Sequence, residues 1–434
     1  MAEEKLGKGL KLTDRAVALM KENFVCDNCL GRSSAELLSG LTNKERGKII
    51  RNFIAMLVDS GEKFDVRSSN FYGIKFRNSK IKPEKPEKCG ICKNFFLGKA
   101  DELAKTIVKK TNDYDFDTFL IGTIVSDDLA KMEEETWQKI GVEFVEPIKN
   151  EINREVGKSI EKLTKNEKRF SLKEPDITAI IDLGKNKVAL QVRSLYIYGK
   201  YKKFVRGIPQ TKWVCRECGG KGCVRCKGEG KMYKTSVQEV IEKPLLKAAQ
   251  AKKSKFHGAG REDIDARCLA CRPFVMELLR PMKRTLDLKK MQAQINRSKK
   301  VNVTGLNAAT KKDMYEIKSS KYDKTYFAEV TFEKKIDKKK LRLLKTLKGE
   351  TIQQKTPSRV VHRRANLLRR RKVKEISVKV IGKKKLVLKI KGEAGLYIKE
   401  LISGDSGRTE PNIAGILDNK VKNIKLDVIR IHTS

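Results

Sequence analysis

Hydrophobic and polar positions set out the elements of this chain before any motif is considered. In KEISVKVIGKKKLVLKIKG, Ile376, Val378 and Val380 alternate with polar residues, and after a Gly-Lys turn Leu386, Leu388 and Ile390 do the same. This period of two predicts a hairpin with one buried face. KTYFAEVTFEK, FDTFLIGTIVS and DITAIIDLGKNKVALQVRSLYIYGKY carry the β-branched and aromatic residues of strands, bounded by turn residues. EPIKNEINREVGKSIEKL and AELLSGLTNKERGKIIRNFIAMLVDSGEK have helical spacing, and SVQEVIEKPLLKAAQ reads as a helix opened by Ser236. The mixture predicts an α+β protein. Its segments are an N-terminal part over 1–95, a compact unit over 96–210, a short cysteine-rich stretch over 211–232 and a larger domain over 233–434.

Charge narrows the choice of partner. Among 434 residues, 97 Lys and Arg face 54 Asp and Glu, a formal net charge of +43. An excess of that size and single sign points to a polyanion, either nucleic acid or an anionic membrane surface. No apolar run is long enough to span a bilayer, and MAEEKLGKGLKLTDR lacks the apolar core of a signal peptide. The expectation is a cytoplasmic protein that binds nucleic acid, with no membrane partner.

The ten cysteines fall into five Cys-x-x-Cys pairs. In a reducing compartment this spacing suits zinc better than disulfides. Cys215, Cys218, Cys223 and Cys226 lie in CRECGGKGCVRCKGEG, whose glycines let the backbone fold back around a metal. Cys26, Cys29, Cys89 and Cys92 would close a second structural zinc site across a long gap. Cys268 and Cys271 have no second pair and are read as non-zinc. The glycine-rich repeats are similar to those of DnaJ co-chaperones. Those carry four repeats and a His-Pro-Asp motif, whereas here there are two repeats and no histidine precedes a proline.

Two stretches are candidates for RNA contact. In YGKYKKFVRGIPQTKW, tyrosines interleave with Lys200, Lys203 and Arg206, which suits base stacking beside phosphate binding. QQKTPSRVVHRRANLLRRRKVK is the densest basic run, and Arg359, His362, Arg363 and Arg364 are read in it as a phosphate-contacting arm.

GAGREDIDAR holds Asp263 and Asp265 among arginines on a glycine-flanked turn. With KTY at 324–326 and GLYIKELISGD at 395–405, it forms an ordered set that resembles the pseudouridine synthases. Those share a Gly-Arg-x-Asp loop, a strand with Lys-x-Tyr and a later Gly-x-Tyr-Ile-Arg/Lys motif. AGREDIDAR, RPFVMEL, QKTPSRVVHRRA and YIKELISGDSGRTEPNIAGIL resemble, more narrowly, the archaeal tRNA pseudouridine synthases of the "synthase Ten" family. CDNCLGR, IKNEINREVGK and YGKYKKFVRGIPQTKW fit the same family, so the likeness runs over nearly the whole chain. One departure is CLAC before RPF, where the family usually carries Met and Gly.

The resemblance implies an N-terminal zinc-bearing, THUMP-type RNA-binding region and a C-terminal catalytic domain on a mixed, mainly antiparallel sheet. It makes Asp263 the catalytic aspartate and Tyr326 the ring that stacks on the target base. Lys399 becomes the cation paired with Asp263. Ile398 and Leu426 line the pocket, and Tyr397 and Arg261 join them in binding substrate. The substrate implied is tRNA, at uridine 55 of the T arm and in archaeal members uridine 54 as well. A chain acting as a monomer, without a catalytic cofactor and with structural zinc, completes the expectation.

The chemistry is consistent with these residue types. Uracil must leave C1′ of its ribose, turn, and rejoin through C5. An ionised carboxylate can act as nucleophile or stabilise a sugar cation, and a neighbouring cation favours the ionised form. Attack at the sugar and elimination to a glycal both remain open. A zinc-bearing RNA-binding protein without catalysis would explain charge, cysteines and aromatics, but not the order of Asp263, Tyr326 and Lys399. Thiouridine synthetases and methyltransferases with THUMP regions need an ATP or methyl-donor site, and no glycine-rich loop fits one.

Overall fold

The computed structural model describes residues 12–363 and 365–433, apart from the side chain of Arg363. The chain divides after Arg193 into two units.

The first unit carries a sheet of β1 (Thr118–Ile124), β2 (Arg169–Phe170), β3 (Ile177–Asp182) and β4 (Lys187–Val192), in the order β2-β1-β3-β4. β1 pairs in parallel with β2 and β3, and β4 runs antiparallel to β3. The helices Lys99–Thr111 and Ile148–Leu163 bury Ala104, Ile107, Ile152, Val156 and Ile160 in a core shared with Ile121 and Ile177. The helix Asn43–Asp59 begins where its sequence directs. Thr42 accepts from the Glu45 amide, and the Glu45 carboxylate accepts from Thr42 in return. Cys26, Cys29, Cys89 and Cys92 belong to this same core. The segment read from sequence as 1–95 therefore shares one interior with residues 96–193.

The second unit is built on β5 (Leu195–Lys203), β6 (Lys253–Gly258), β7 (Arg267–Leu279), β8 (Val301–Ala309), β9 (Asp323–Phe332), β10 (Thr351–Lys355), β11 (Leu368–Gly382), β12 (Lys385–Gly392), β13 (Thr409–Glu410) and β14 (Val421–His432). Their order is β13-β10-β11-β12-β9-β14-β7-β5-β8, with β6 on β7. Only β14 and β7 pair in parallel, so the sheet is mixed and mainly antiparallel. The expected hairpin is β11–β12, in the register Ile376↔Ile390, Val378↔Leu388 and Val380↔Leu386.

One expected boundary is displaced. The YGKYKK segment, placed at the end of the first RNA-binding unit, forms β5 and is hydrogen-bonded between β7 and β8 of the second unit. Its alternating face explains why: Ile197, Gly199, Tyr201 and Lys203 are all buried. Two larger cores gather in this unit. One gathers Tyr201, Ile241, Leu245 and Phe274, the other Ala328, Leu388, Ile398, Leu401 and Leu426.

Candidate active site and cysteine clusters

Asp263 sits in the loop 259–266 that joins the paired strands β6 and β7. Gly260 opens the loop with φ +76°, and a side chain there would meet Arg272 Nη1 at 3.3 Å. The loop thus reverses against a buried guanidinium, in a backbone conformation that suits glycine.

The Asp263 side chain keeps 27% of its exposure, enough to meet a substrate. Arg359 Nη1 donates to its Oδ1 at 2.7 Å, while Arg359 Nε donates to Glu400 Oε1, also at 2.7 Å. Glu400 is buried at 4% exposure, on the helix Ile398–Ser403. Burial draws the guanidinium down, but the hydrogen bond to Glu400 and the charge of Asp263 hold its pKa above the ordinary arginine value. Arg359, read from sequence as a phosphate contact, is therefore engaged at the candidate catalytic carboxylate.

Lys399 pairs with Asp263, as expected, but lies closer to Asp265. Its Nζ lies 3.6 Å from Asp263 Oδ2 but 2.6 Å from Asp265 Oδ2 and 2.7 Å from Asp265 Oδ1. Its hydrogen bonds go to Asp265, and Asp263 receives its charge at longer range. Burial works against ionisation of Asp265, yet the bonds from Lys399 hold it below the usual carboxylate range.

Tyr326 projects from the middle of β9, between Ile390 of β12 and Val428 of β14. It is half-buried and packs on the core that contains Ile398 and Leu426, 3% and 6% exposed. Burial pushes its phenol up to about 12, so the ring is neutral at physiological pH. Lys324, two residues earlier, is drawn down to about 8 by burial and then by the charge of Arg272. Tyr397 caps the helix that carries Lys399, and its backbone N–H and C=O are both bonded to the Gln354 amide. Arg261 is exposed and lies over the Trp213 ring, 5.2 Å from its centroid.

One further expectation changes. Lys203 is fully buried, and its Nζ donates to the carbonyls of Ile208, Asp263 and Ile264 at 3.0, 3.1 and 3.2 Å. It cannot reach phosphate. Arg206 bonds the carbonyls of Asp265 and Leu426 and the carboxylate of Asp427, which also pairs with Arg267, so three of its five N–H donors are used within the fold. Lys200 is half-buried, and His362 is exposed on the short turn Val361–Arg363. Arg364 and the side chain of Arg363 lie outside the described residues.

Both expected cysteine quartets assemble. The ligand atoms of Cys26, Cys29, Cys89 and Cys92 lie within 4.8 Å of one another, as do those of Cys215, Cys218, Cys223 and Cys226. Sulfur separations of 3.6, 3.7 and 3.8 Å match the ~3.8 Å edge of a tetrahedron with Zn–S bonds of about 2.3 Å. Backbone N–H groups of Gly222 and Gly230 donate to the Cys218 and Cys226 sulfurs at 3.2 Å. Gly230 has no room for a side chain, since a Cβ would fall 2.3 Å from the Gly220 carbonyl. Both quartets fit zinc as a structural ion. Cys268 is buried, with burial raising its thiol to about 11, and Cys271 is exposed. Among the described residues neither joins a metal-binding group.

An aspartate loop braced by basic side chains and a strand tyrosine thus lie on one mixed sheet. The C-terminal family model of Pus10 matches residues 196–432, and the archaeal Pus10 THUMP domain matches residues 103–182. The chain is 38% identical to the tRNA pseudouridine synthase Pus10 of Methanothrix thermoacetophila, over 97% of this chain and 94% of that one. It is 40% identical to the protein of the same name from Methanopyrus kandleri, over 96% and 98% of the two chains. A solved chain from a Cbf5-Nop10-Gar1 complex overlaps 54% of this chain and 48% of its own, at 18% identity and a TM-score of 0.29. The chain belongs to the Pus10 family of tRNA pseudouridine synthases.

Proposed function

We propose that this chain isomerises uridine 55, and uridine 54 as well, to pseudouridine in the T arm of tRNA. Asp263 is the catalytic carboxylate, and no organic cofactor takes part. The observation that carries the reading is the bracing of an accessible Asp263 by Arg359 at 2.7 Å, with Lys399 at 3.6 Å, on the sheet that presents Tyr326.

In this reading the target nucleotide leaves the stack and its uracil lies on Tyr326, which recovers part of the few kcal/mol that flipping costs. The neutral phenol offers a face without competing as an acid. Ile398 and Leu426 supply apolar walls. The two basic side chains would hold the Asp263 carboxylate in place and aim it at the ribose. The C1′–N1 bond breaks, the ring turns, and a C1′–C5 bond forms while the C5 proton is exchanged for one on N1. Nothing is gained or lost overall, so no redox partner or energy source enters. Both the nucleophilic and the elimination routes begin from the same carboxylate.

The exposed side chains of Arg370 and Lys372 on β11 and His362 on its turn would hold the RNA backbone, and the THUMP region would anchor the tRNA. Zinc would be bound at both cysteine quartets and would stabilise their folds without taking part in the reaction. The chain would act as a monomer in the cytoplasm. Incubation with unmodified tRNA transcripts carrying cytidine at position 54, at 55, or at neither tests the reading. Pseudouridine should appear at each remaining uridine of the pair. Product confined to other positions would overturn it.

A further inference from the structure

Beneath the Asp263 loop lies a group of charged and polar side chains that touch no solvent. Lys203, Glu262 and Arg272 have side-chain exposures of 0%, 0% and 1%. Glu262 is the neighbour of Asp263, and its side chain turns inward where that of Asp263 turns outward. Its carboxylate accepts from the Tyr201 hydroxyl at 2.8 Å and lies 3.1 Å from Arg272 Nε and 3.9 Å from Lys203 Nζ. Gln210 Nε2 donates to the Tyr201 oxygen at 2.8 Å.

Other donors of this group go to the backbone of the loop. Arg272 Nη1 donates to the Ala259 carbonyl and Gln210 Nε2 to the Gly260 carbonyl, each at 2.9 Å. Lys203 Nζ donates to the Asp263 and Ile264 carbonyls at 3.1 and 3.2 Å, and to Ile208 at 3.0 Å. An ammonium has three N–H donors, and here three carbonyls take them. The loop is thus gripped on both sides of Asp263, at 259, 260, 263 and 264. Buried charges are costly, and apolar side chains of similar volume often serve stability as well or better. What an apolar core cannot do is hold backbone carbonyls at fixed points. Reactive groups need that fixity, because a misplacement of about 1 Å can cost about 100-fold in rate.

We propose that Lys203 and Gln210, joined through Tyr201, Glu262 and Arg272, are positioning residues that fix the direction of the Asp263 carboxylate from within the fold. The inference rests on the reading of Asp263 as the catalytic group. Lys203 acts through the backbone and never meets RNA. Lys203→Met leaves Glu262 and Arg272 as a balanced pair, so it removes the grip without stranding a single charge. Gln210→Leu removes the bond to Gly260 and is the smaller disturbance should the first variant fail to fold.

Full-length, zinc-loaded wild type and both variants would be compared in three measurements. These are amide hydrogen exchange over residues 260–266, single-turnover pseudouridine formation, and tRNA affinity at several salt concentrations. Faster exchange in the loop and a rate lower by about 100-fold are expected, with tRNA affinity and its salt dependence unchanged. A shallower salt dependence in Lys203→Met would make Lys203 a phosphate contact and overturn the proposal. So would wild-type exchange in the loop, or a wild-type rate, in a folded variant. If the wild type itself made no pseudouridine, the reading of the reaction would fail. The exchange data would still decide whether these side chains hold the loop.

Discussion

Arg359 joins two carboxylates of unlike character: one edge of its guanidinium bonds the accessible Asp263 and another the buried Glu400, both at 2.7 Å. A planar fork can serve two acceptors at fixed angles, and an ammonium on a flexible stem cannot do so equally well. Arg359→Ala should lower the single-turnover rate by about 10- to 100-fold, the value of one charge-assisted hydrogen bond. Arg359→Lys should recover only part of it. The comparison is made at saturating enzyme, so that any loss of tRNA affinity is kept apart from the chemical step.

Lys324 gives a pH signature. Its pKa falls from 10.5 to about 8 in the folded chain, through burial and then the charge of Arg272. Between about pH 8 and 10.5 the unfolded chain therefore holds a proton that the folded chain has released. Raising the pH through that window favours the folded state, and below it this contribution is constant. Relative to Lys324→Met, wild type should gain thermal stability between pH 7.5 and 9.5. A difference between the two proteins that does not change with pH would refute the burial argument.

The salt dependence of tRNA binding separates surface cations from buried ones. Replacing exposed Arg370 and Lys372 by alanine should make the log–log slope shallower by about one for each phosphate that these side chains neutralise. Filter binding across a range of salt concentrations measures this directly.

Zinc occupancy has a simple count. Native mass spectrometry should find one zinc ion in each cysteine quartet, and Cys215→Ser should lose one while leaving the other. Chelation should lower thermal stability, since a quartet emptied of metal leaves four thiols packed where four thiolates shared a cation. A chain equally stable with and without chelator would refute a structural role.

Much of the catalytic sheet was legible in the sequence, because its strands bury one face and so alternate at a period of two. β12 follows that rule, with Leu386, Leu388 and Ile390 fully buried, whereas on its partner β11 Ile376 and Val378 are half-buried and Val380 is exposed. Lys203 obeys the same rule, against its reading as an RNA contact. It shares the buried face of Ile197, Gly199 and Tyr201, but a lysine beside tyrosines in a basic chain looks like a phosphate ligand. The alternation is the better guide than the residue type. The cysteine spacing was sufficient for both quartets, since four thiols around one metal are a local requirement on chemistry. The bond from Arg359 to Asp263 spans 96 positions and leaves no local pattern. Motif order brought Asp263, Tyr326 and Lys399 to one site, but not the choice of Asp265 over Asp263 as the nearer partner of Lys399. That choice depends on a few tenths of an ångström to an ångström in how a loop meets a helix.

The central claim, that Asp263 is the catalyst on T-arm uridines, is tested most directly by one comparison. Wild type and Asp263→Ala are incubated with an unmodified tRNA transcript, pseudouridine is mapped by chemical labelling, and tRNA affinity is measured beside it. Product at uridines 54 and 55 from wild type alone, with similar affinity in both proteins, is the result predicted. Product formed by Asp263→Ala at the wild-type rate would contradict the account.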